Sequence, residues 1–342
     1  MLPRYLTPFA FLALFVLGGW IGGPWTFLGA AATPLCLVGL DGVLGRDEVR
    51  TDGESAERLR WLPRIYIVLQ LAANGWAALR VASPATGTIE SIGLALSAGV
   101  TTGVFGFVAA HEMIHSPERS DRAFGLTLLG SVLYMHFRIA HVHGHHVRAG
   151  TRADPATARL GEGLYRFWMR SIAGQLREAW DFEARRRRRR GETVFGPGNR
   201  MIAFVGLELL FMIAVGLISL RALAFVVVVA AIAVLLLETF NYVAHYGLER
   251  RIGADGRLER LGPHHSWNSA RRMNTAALFN MGRHSDHHRH MARPYAGLEP
   301  LPGAAELPSG YAAALLLALV PAAWQRVMDR RAKAAVKPRP PS

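Results

Sequence analysis

Residues 88–115 read TIESIGLALSAGVTTGVFGFVAAHEMIH, and this stretch decides the fold. Between 88 and 110 the only charge is Glu90, and the run suffices for a helix to cross a bilayer core, which takes about 20 residues. It ends directly in His111-Glu112-Met113-Ile114-His115, whose imidazoles stand at i and i+4 on one helix face. A span that runs into paired metal-type ligands predicts a metal site at the membrane surface.

Working outward, five further apolar runs have spanning length: 7–23, 25–45, 62–82, 202–220 and 222–240. The expectation is an all-α integral membrane protein. One domain over 1–342 would hold six transmembrane helices and a histidine-rich cap formed by 111–200 and 241–342. Gly22-Gly23-Pro24 and residues 219–221 read as tight turns between neighbouring spans. The leader carries one Arg but no convincing small-residue cleavage site follows, so the first span reads as uncleaved. Two runs of about 13 residues, 123–135 and 311–323, are too short to cross and predict interfacial or re-entrant helices. Trp324, Arg326, Arg330 and Arg331 would anchor the second at the interface.

Composition agrees. Apolar residues make up 51% of the 342 and charged residues 19%, which excludes a disordered chain. The net charge of +14 reads as a cytoplasmic-face signal rather than a nucleic-acid surface. Arginines cluster at 46–60, at 185–190 and at 250–272, all in loops on one side. That bias places both termini in the cytoplasm. Four spans precede His111 and two separate His146 from His245, so parity puts every histidine cluster on that same side. Cys36, the one cysteine, allows no internal disulfide and no four-cysteine iron centre.

The 14 histidines all lie between His111 and His290. His141-Val142-His143-Gly144-His145-His146 repeats the i,i+4 pair at His141 and His145, with His146 beside it. His284-Ser285-Asp286-His287-His288 offers i, i+3 and i+4, and His245 stands just past the sixth span. These nine imidazoles exceed the needs of one ion and suit two metals with four or five ligands each. Imidazole fits iron, copper, zinc and nickel alike. His136, His264, His265 and His290 read as hydrogen-bonded or solvated residues, and His143 points away from the His141 face.

Two rival readings share these residues. His111–His115 also spells the H-E-x-x-H motif of zinc proteases, with Asp41 as a third ligand, but that leaves seven histidines unused. A metal transporter would carry polar or metal-binding groups inside several spans, whereas Asp41, Glu90 and Glu238 lie near span ends.

With these motifs in view, the chain resembles the membrane alkane 1-monooxygenases of the fatty-acid desaturase and hydroxylase superfamily. The resemblance rests on His111–His115, Gly144-His145-His146, the stretch from Asp154 to Glu162, Asn241-Tyr242-Val243-Ala244-His245-Tyr246-Gly247-Leu248, His265-Ser266-Trp267-Asn268-Ser269 and Arg283-His284-Ser285-Asp286-His287-His288. It implies six membrane helices under a cytoplasmic cap in a bacterial plasma membrane. It also implies two non-heme irons, O2 as co-substrate, and hydroxylation of a hydrophobic substrate at a chain-terminal carbon. Electrons would come from a separate rubredoxin- or ferredoxin-type carrier with its reductase. The carried-over ligands are His111, His115, His141, His145, His146, His245, His284, His287 and His288. An aromatic-methyl hydroxylase of the xylene type and a lipid desaturase are the alternatives within the superfamily.

The chain departs from the family pattern twice. Glu usually precedes the ligands matching His141 and His245, and here Ala140 and Ala244 stand there. Carboxylates behind a ligand imidazole orient it and raise its basicity. Glu112, Asp286, Glu238 and His143 are the expected substitutes. The six arginines at 185–190 are expected to attract an acidic carrier. Small residues in spans two and four, among them Ala30, Thr33, Ser97 and Gly99, leave room for a hydrocarbon tunnel.

Overall fold

In a computed structural model, residues 2–253 and 256–335 are described; Met1, Ala254, Asp255 and the last seven residues of the expected cap lie outside them. The described residues are mostly helical with almost no strand, and the six spanning candidates among them are Leu2–Ile21, Gly23–Leu44, Gly53–Ala82, Thr88–His115, Arg200–Ile218 and Leu220–His245. The fourth is the core of the bundle, with 78% of its apolar window buried by protein. The fifth has 11% and is left to face lipid. The first pair turns at Gly22 and Gly23, whose φ values of 84° and 56° suit glycine. Ser219 caps the sixth span by accepting from Arg221 N and Ala222 N.

Spans four and six run past their expected ends, to His115 and His245, because protein packing replaces lipid around their last turns. They leave the bundle at the same end. Within span four, Thr102–Gly106 forms a π-helical turn. A buried polar knot holds it: Tyr66 Oη donates to Gln70 Oε1 at 2.8 Å, and Gln70 Nε2 and Asn74 Nδ2 donate to Thr102 Oγ1 at 3.1 and 3.0 Å. Such a bulge rotates everything after it about the helix axis, so this knot sets the direction in which His111 and His115 point.

The cap differs from expectation in three places. The run at 123–135 becomes a helix over Arg119–Ser131, packed on the end of span four and tied down by Asp121 to Arg60 and Arg64. The run at 311–323 splits into Tyr311–Ala318 and Pro321–Ala335. Trp324, expected at the interface, is fully buried between Tyr242 and Tyr246, ring centroids 5.6 and 5.4 Å away, because the last helix folds back on the sixth span. A long amphipathic helix, Leu164–Arg189, crosses the cap; its mixed charge hid it among loop residues.

Asp47, 2% exposed, gathers the periphery of the cap. It pairs with Arg4 from the N-terminus and with Arg283 at 3.3 Å, and Arg283 Nη2 also donates to Val49 O at 2.6 Å. Arg283 immediately precedes His284, so this buried pair fixes where the last histidine segment begins. Removing one partner of a buried ion pair strands the other. Asp47→Ala is expected to destabilise the protein by about 3 kcal/mol, read as a lowered Tm in detergent, whereas Glu54→Ala on the exposed Arg58 pair leaves Tm unchanged.

Candidate metal centre

Nine imidazoles converge under the cap in two groups. His111, His115, His141, His146 and His287 form one; His145, His245, His284 and His288 form the other. In each group one ligand atom per residue lies within 4.8 Å of all the rest. Apart from His115, which is half-buried, all are buried. In the first group the Nε2 atoms of His111 and His141 are 2.7 Å apart, those of His141 and His146 3.0 Å, and those of His146 and His287 3.2 Å. In the second, His284 Nε2 lies 3.1 Å from His245 Nε2 and 3.0 Å from His288 Nε2.

A chain of mutual hydrogen bonds does not account for this, since one Nε2 carries either a single proton or a single lone pair. Nitrogens bound to one ion at about 2.1 Å stand roughly 3.0 to 3.4 Å from one another, and the observed spacings sit near that range. The Nε2 atoms of His115 and His145 are buried with no hydrogen-bond partner among the described residues. Burial pushes His141, His146, His284 and His288 well below the ordinary imidazole range, and His287 to about 3. Neutral imidazole is the form that binds a metal. The donor set fits two cations.

The grouping differs from the sequence pairing for a geometric reason. His141–His145 is a second π-helical turn. In a turn of that pitch, residues five apart come back to one face, so His141 joins His146, and His145 is sent to the other group. His284 and His288 keep the α-helical i,i+4 relation, and His287 between them faces the first group. Two short helices thereby each feed both groups.

The expected supporting residues lie elsewhere. Glu112 Oε1 accepts from Tyr295 N at 3.0 Å. Asp286 takes His290 and Arg293, both at 2.9 Å, and Glu299 N. Glu238, fully buried, accepts from Tyr134 Oη at 3.0 Å and Gln175 Nε2 at 2.8 Å. His143 stacks on Phe182 at 4.5 Å. No hydrogen bond joins any of the four to the nine imidazoles among the described residues. Asp154 does what was expected of them: its Oδ2 accepts from His145 Nδ1 at 2.8 Å and from Thr157 Oγ1 at 2.6 Å. Burial alone would raise the Asp154 carboxyl, but His145 and Thr157 outweigh it and hold it below its usual range. His245, which follows Ala244, donates from Nδ1 to the His265 carbonyl at 3.2 Å. Asp154 lies within the stretch that carried the resemblance, nine residues past His145, in a loop that turns it back onto that ring.

A cavity of about 160 Å³ opens beside the groups, with His111, His141 and His284 at its inner end. Val100, Gly103, Val104 and Phe107 from span four form one wall, Ala30, Pro34 and Leu37 from span two another, and Leu236 and Phe240 from span six a third. From Val100 to His111 it follows about 16 Å of helix.

A family model for fatty acid desaturases matches residues 90–325. Alkane 1-monooxygenase 1 of Pseudomonas aeruginosa is 38% identical over 304 residues, covering 86% of this chain and 80% of that protein. The chain belongs to the alkane 1-monooxygenase branch of the fatty acid desaturase family. Alkane 1-monooxygenase of Acinetobacter baylyi is 35% identical, covering 85% of this chain and 73% of its own. The xylene/toluene monooxygenase hydroxylase component of Pseudomonas putida is 29% identical over 328 residues, covering 94% and 86%. This alkane monooxygenase homologue is therefore a membrane monooxygenase, and the protease and transporter readings fall. Asp41, their candidate ligand, instead receives Asn274 N at 3.1 Å and the Asn274 amide.

If the two groups are separate sites, single substitutions should be read out separately. His146→Ala is expected to remove metal from the five-imidazole group and His145→Ala from the four-imidazole group. Each should lower the metal count measured by mass spectrometry, with different residual spectra. Asp154→Ala should weaken metal affinity by about 10- to 100-fold, while His264→Ala changes nothing.

Proposed function

We propose that this monooxygenase hydroxylates the terminal carbon of an alkane or alkyl chain at two irons held by the nine imidazoles, with electrons from a separate rubredoxin-type carrier on the cytoplasmic face of a bacterial plasma membrane. The observation that carries the reading is the apolar cavity ending on three of the proposed ligands, together with the alkane-oxidising relatives. An unactivated C–H bond is beyond any side-chain acid, base or nucleophile. Bound irons supply the chemistry that activates O2. The overall change is RH + O2 + 2 H⁺ + 2 e⁻ giving ROH + H2O.

This chain's residues do the rest. The imidazoles of His111, His115, His141, His146 and His287 would hold one iron, and those of His145, His245, His284 and His288 the other. Asp154 holds the His145 ring with its Nε2 turned inward. The cavity walls bind by burial of apolar surface and exclude water; besides the three histidines, its polar residues are Thr33, Asn241 and Asn274. An apolar void near 150 Å³ is large enough to stay dry and take up a small hydrocarbon. A chain lying along the span-four wall would present one end to the imidazoles of His111, His141 and His284. With Cys36 as their one cysteine, these 342 residues hold no four-cysteine iron centre, which supports electron supply by a separate carrier.

A second reading has its own support. Phe107, Phe137 and Phe240 surround the inner end, a setting that suits a benzylic methyl as well as a methyl terminus.

Membranes containing the chain, supplied with reduced carrier, ¹⁸O2 and a panel of alkanes, alkylbenzenes and fatty acyl esters, are expected to yield terminal alcohols with one labelled oxygen. Benzylic alcohols alone would favour the second reading, and olefins without label would refute both. Ala30→Trp, at the end of the cavity remote from the histidines, should cut turnover of the longest accepted alkanes by about 10-fold or more while sparing short ones.

A further inference from the structure

Besides the substrate cavity, the cap carries a cleft of about 320 Å³ on its outer face. The exposed Arg152, Arg159, Arg177 and Arg185 rim it, and Arg148 and Arg170 lie deeper. The acids lining it are Glu178 and Asp181. Glu178 is taken by Arg148, and Glu162 nearby by Arg170 at 2.7 Å. No ion pair holds Arg159, Arg177 or Arg185 among the described residues, and Arg152 lies 3.8 Å from Glu249. The cleft is a concave surface of strong positive potential.

Its floor connects it to the metal centre. Ala153 and Pro155 line the cleft and flank Asp154, the carboxylate that accepts from His145. From exposed Ala153 the way inward is one residue, one hydrogen bond and one imidazole. The floor is rigid. A Cβ on Gly174 would lie 2.5 Å from Pro155 Cβ, so helix Leu164–Arg189 presses directly on the loop, and Arg170 Nη1 donates to the Pro155 carbonyl at 3.0 Å. The neighbouring arginine run contributes little. Arg186 is spent on Glu183, and Arg187 on Glu192 and the Thr193 carbonyl; Arg188, Arg189 and Arg190 are exposed outside the cleft, and of the run Arg185 lines it.

We infer that this cleft is the docking site of an acidic one-electron carrier protein, which passes electrons inward through Asp154 and His145. The inference rests on the proposed function, which needs two electrons per turnover from outside the chain. Two successive dockings each oxidise one carrier by one electron, and together they supply the two electrons that reduce O2 alongside the substrate. A patch that bound only anionic lipid would have no need of a floor hydrogen-bonded to a proposed ligand.

The test uses the full chain in nanodiscs, a purified acidic rubredoxin as carrier, and reduced methyl viologen, a small cation, as a donor indifferent to the arginines. Arg177→Glu with Arg185→Glu is expected to raise the KM for the carrier about 10-fold and to flatten its dependence on salt. Iron content and viologen-driven product formation should be retained. Arg189→Glu with Arg190→Glu, outside the cleft, should leave the carrier KM within about twofold. Reversing acidic residues of the carrier to Lys should restore turnover of the cleft variant. Should the Glu variant fail to fold, Arg177→Gln with Arg185→Gln gives the same comparison with a smaller expected shift. An unchanged carrier KM and salt dependence overturns the inference. So does loss of binding to anionic vesicles with carrier kinetics intact, which would assign the cleft to lipid. Absence of any hydroxylated product with either donor would instead count against the proposed function.

Discussion

Nine imidazoles brought nitrogen to nitrogen, all buried by protein except half-buried His115, govern how the rest of the structure is arranged. Neutral imidazoles stripped of water and aimed at one another repel through their lone pairs, and a cation held between them would relieve that repulsion. The fold supplies what that demands: a rigid membrane bundle below, a cap closed by buried ion pairs above, and helix geometry that turns each ring inward. Three positioning devices recur. π-helical turns rotate His111 and redistribute His141, His145 and His146; the Asp47 pair anchors the chain just before His284; and Asp154 sets one ring directly.

Separation of environments follows from the same arrangement. The imidazoles sit where the apolar cavity from the membrane meets the charged cap. The proposed hydrocarbon substrate would reach them from one side without crossing water, and the hydrogen-bonded Asp154–His145 link reaches them from the other. The two approaches do not share residues: His111, His141 and His284 close the cavity, whereas His145 faces the outer cleft through Asp154.

Much of this was legible in the sequence. Span lengths follow from bilayer thickness, so six spanning runs could be recognised, with four and six extending further than expected where the cap packs on them. The histidine motifs stood out because paired imidazoles at a span's end have few structural uses. What escaped was phase. Reading His141 and His145 as partners assumed α-helical pitch, and nothing local to that segment announces a π turn. Trp324 escaped because Tyr242 and Tyr246, its neighbours in space, are distant in sequence, and Asp154 because nothing local to the loop after His146 shows that it turns back onto His145. The cap helix Leu164–Arg189 was obscured by its charge, which the fold spends on Glu162 and Glu183. Ala140 and Ala244 are buried, at 1% and 0% exposed. The ring after Ala244 is held by a carbonyl, so the missing glutamates are compensated at least in part by backbone.

The two imidazole groups are proposed to be two separate iron sites. Anomalous diffraction at the iron edge from the metal-loaded protein tests this most directly. Two peaks per chain are expected, one ringed by His111, His115, His141, His146 and His287 and the other by His145, His245, His284 and His288. A single peak, or density that responds at the zinc edge instead, would contradict this.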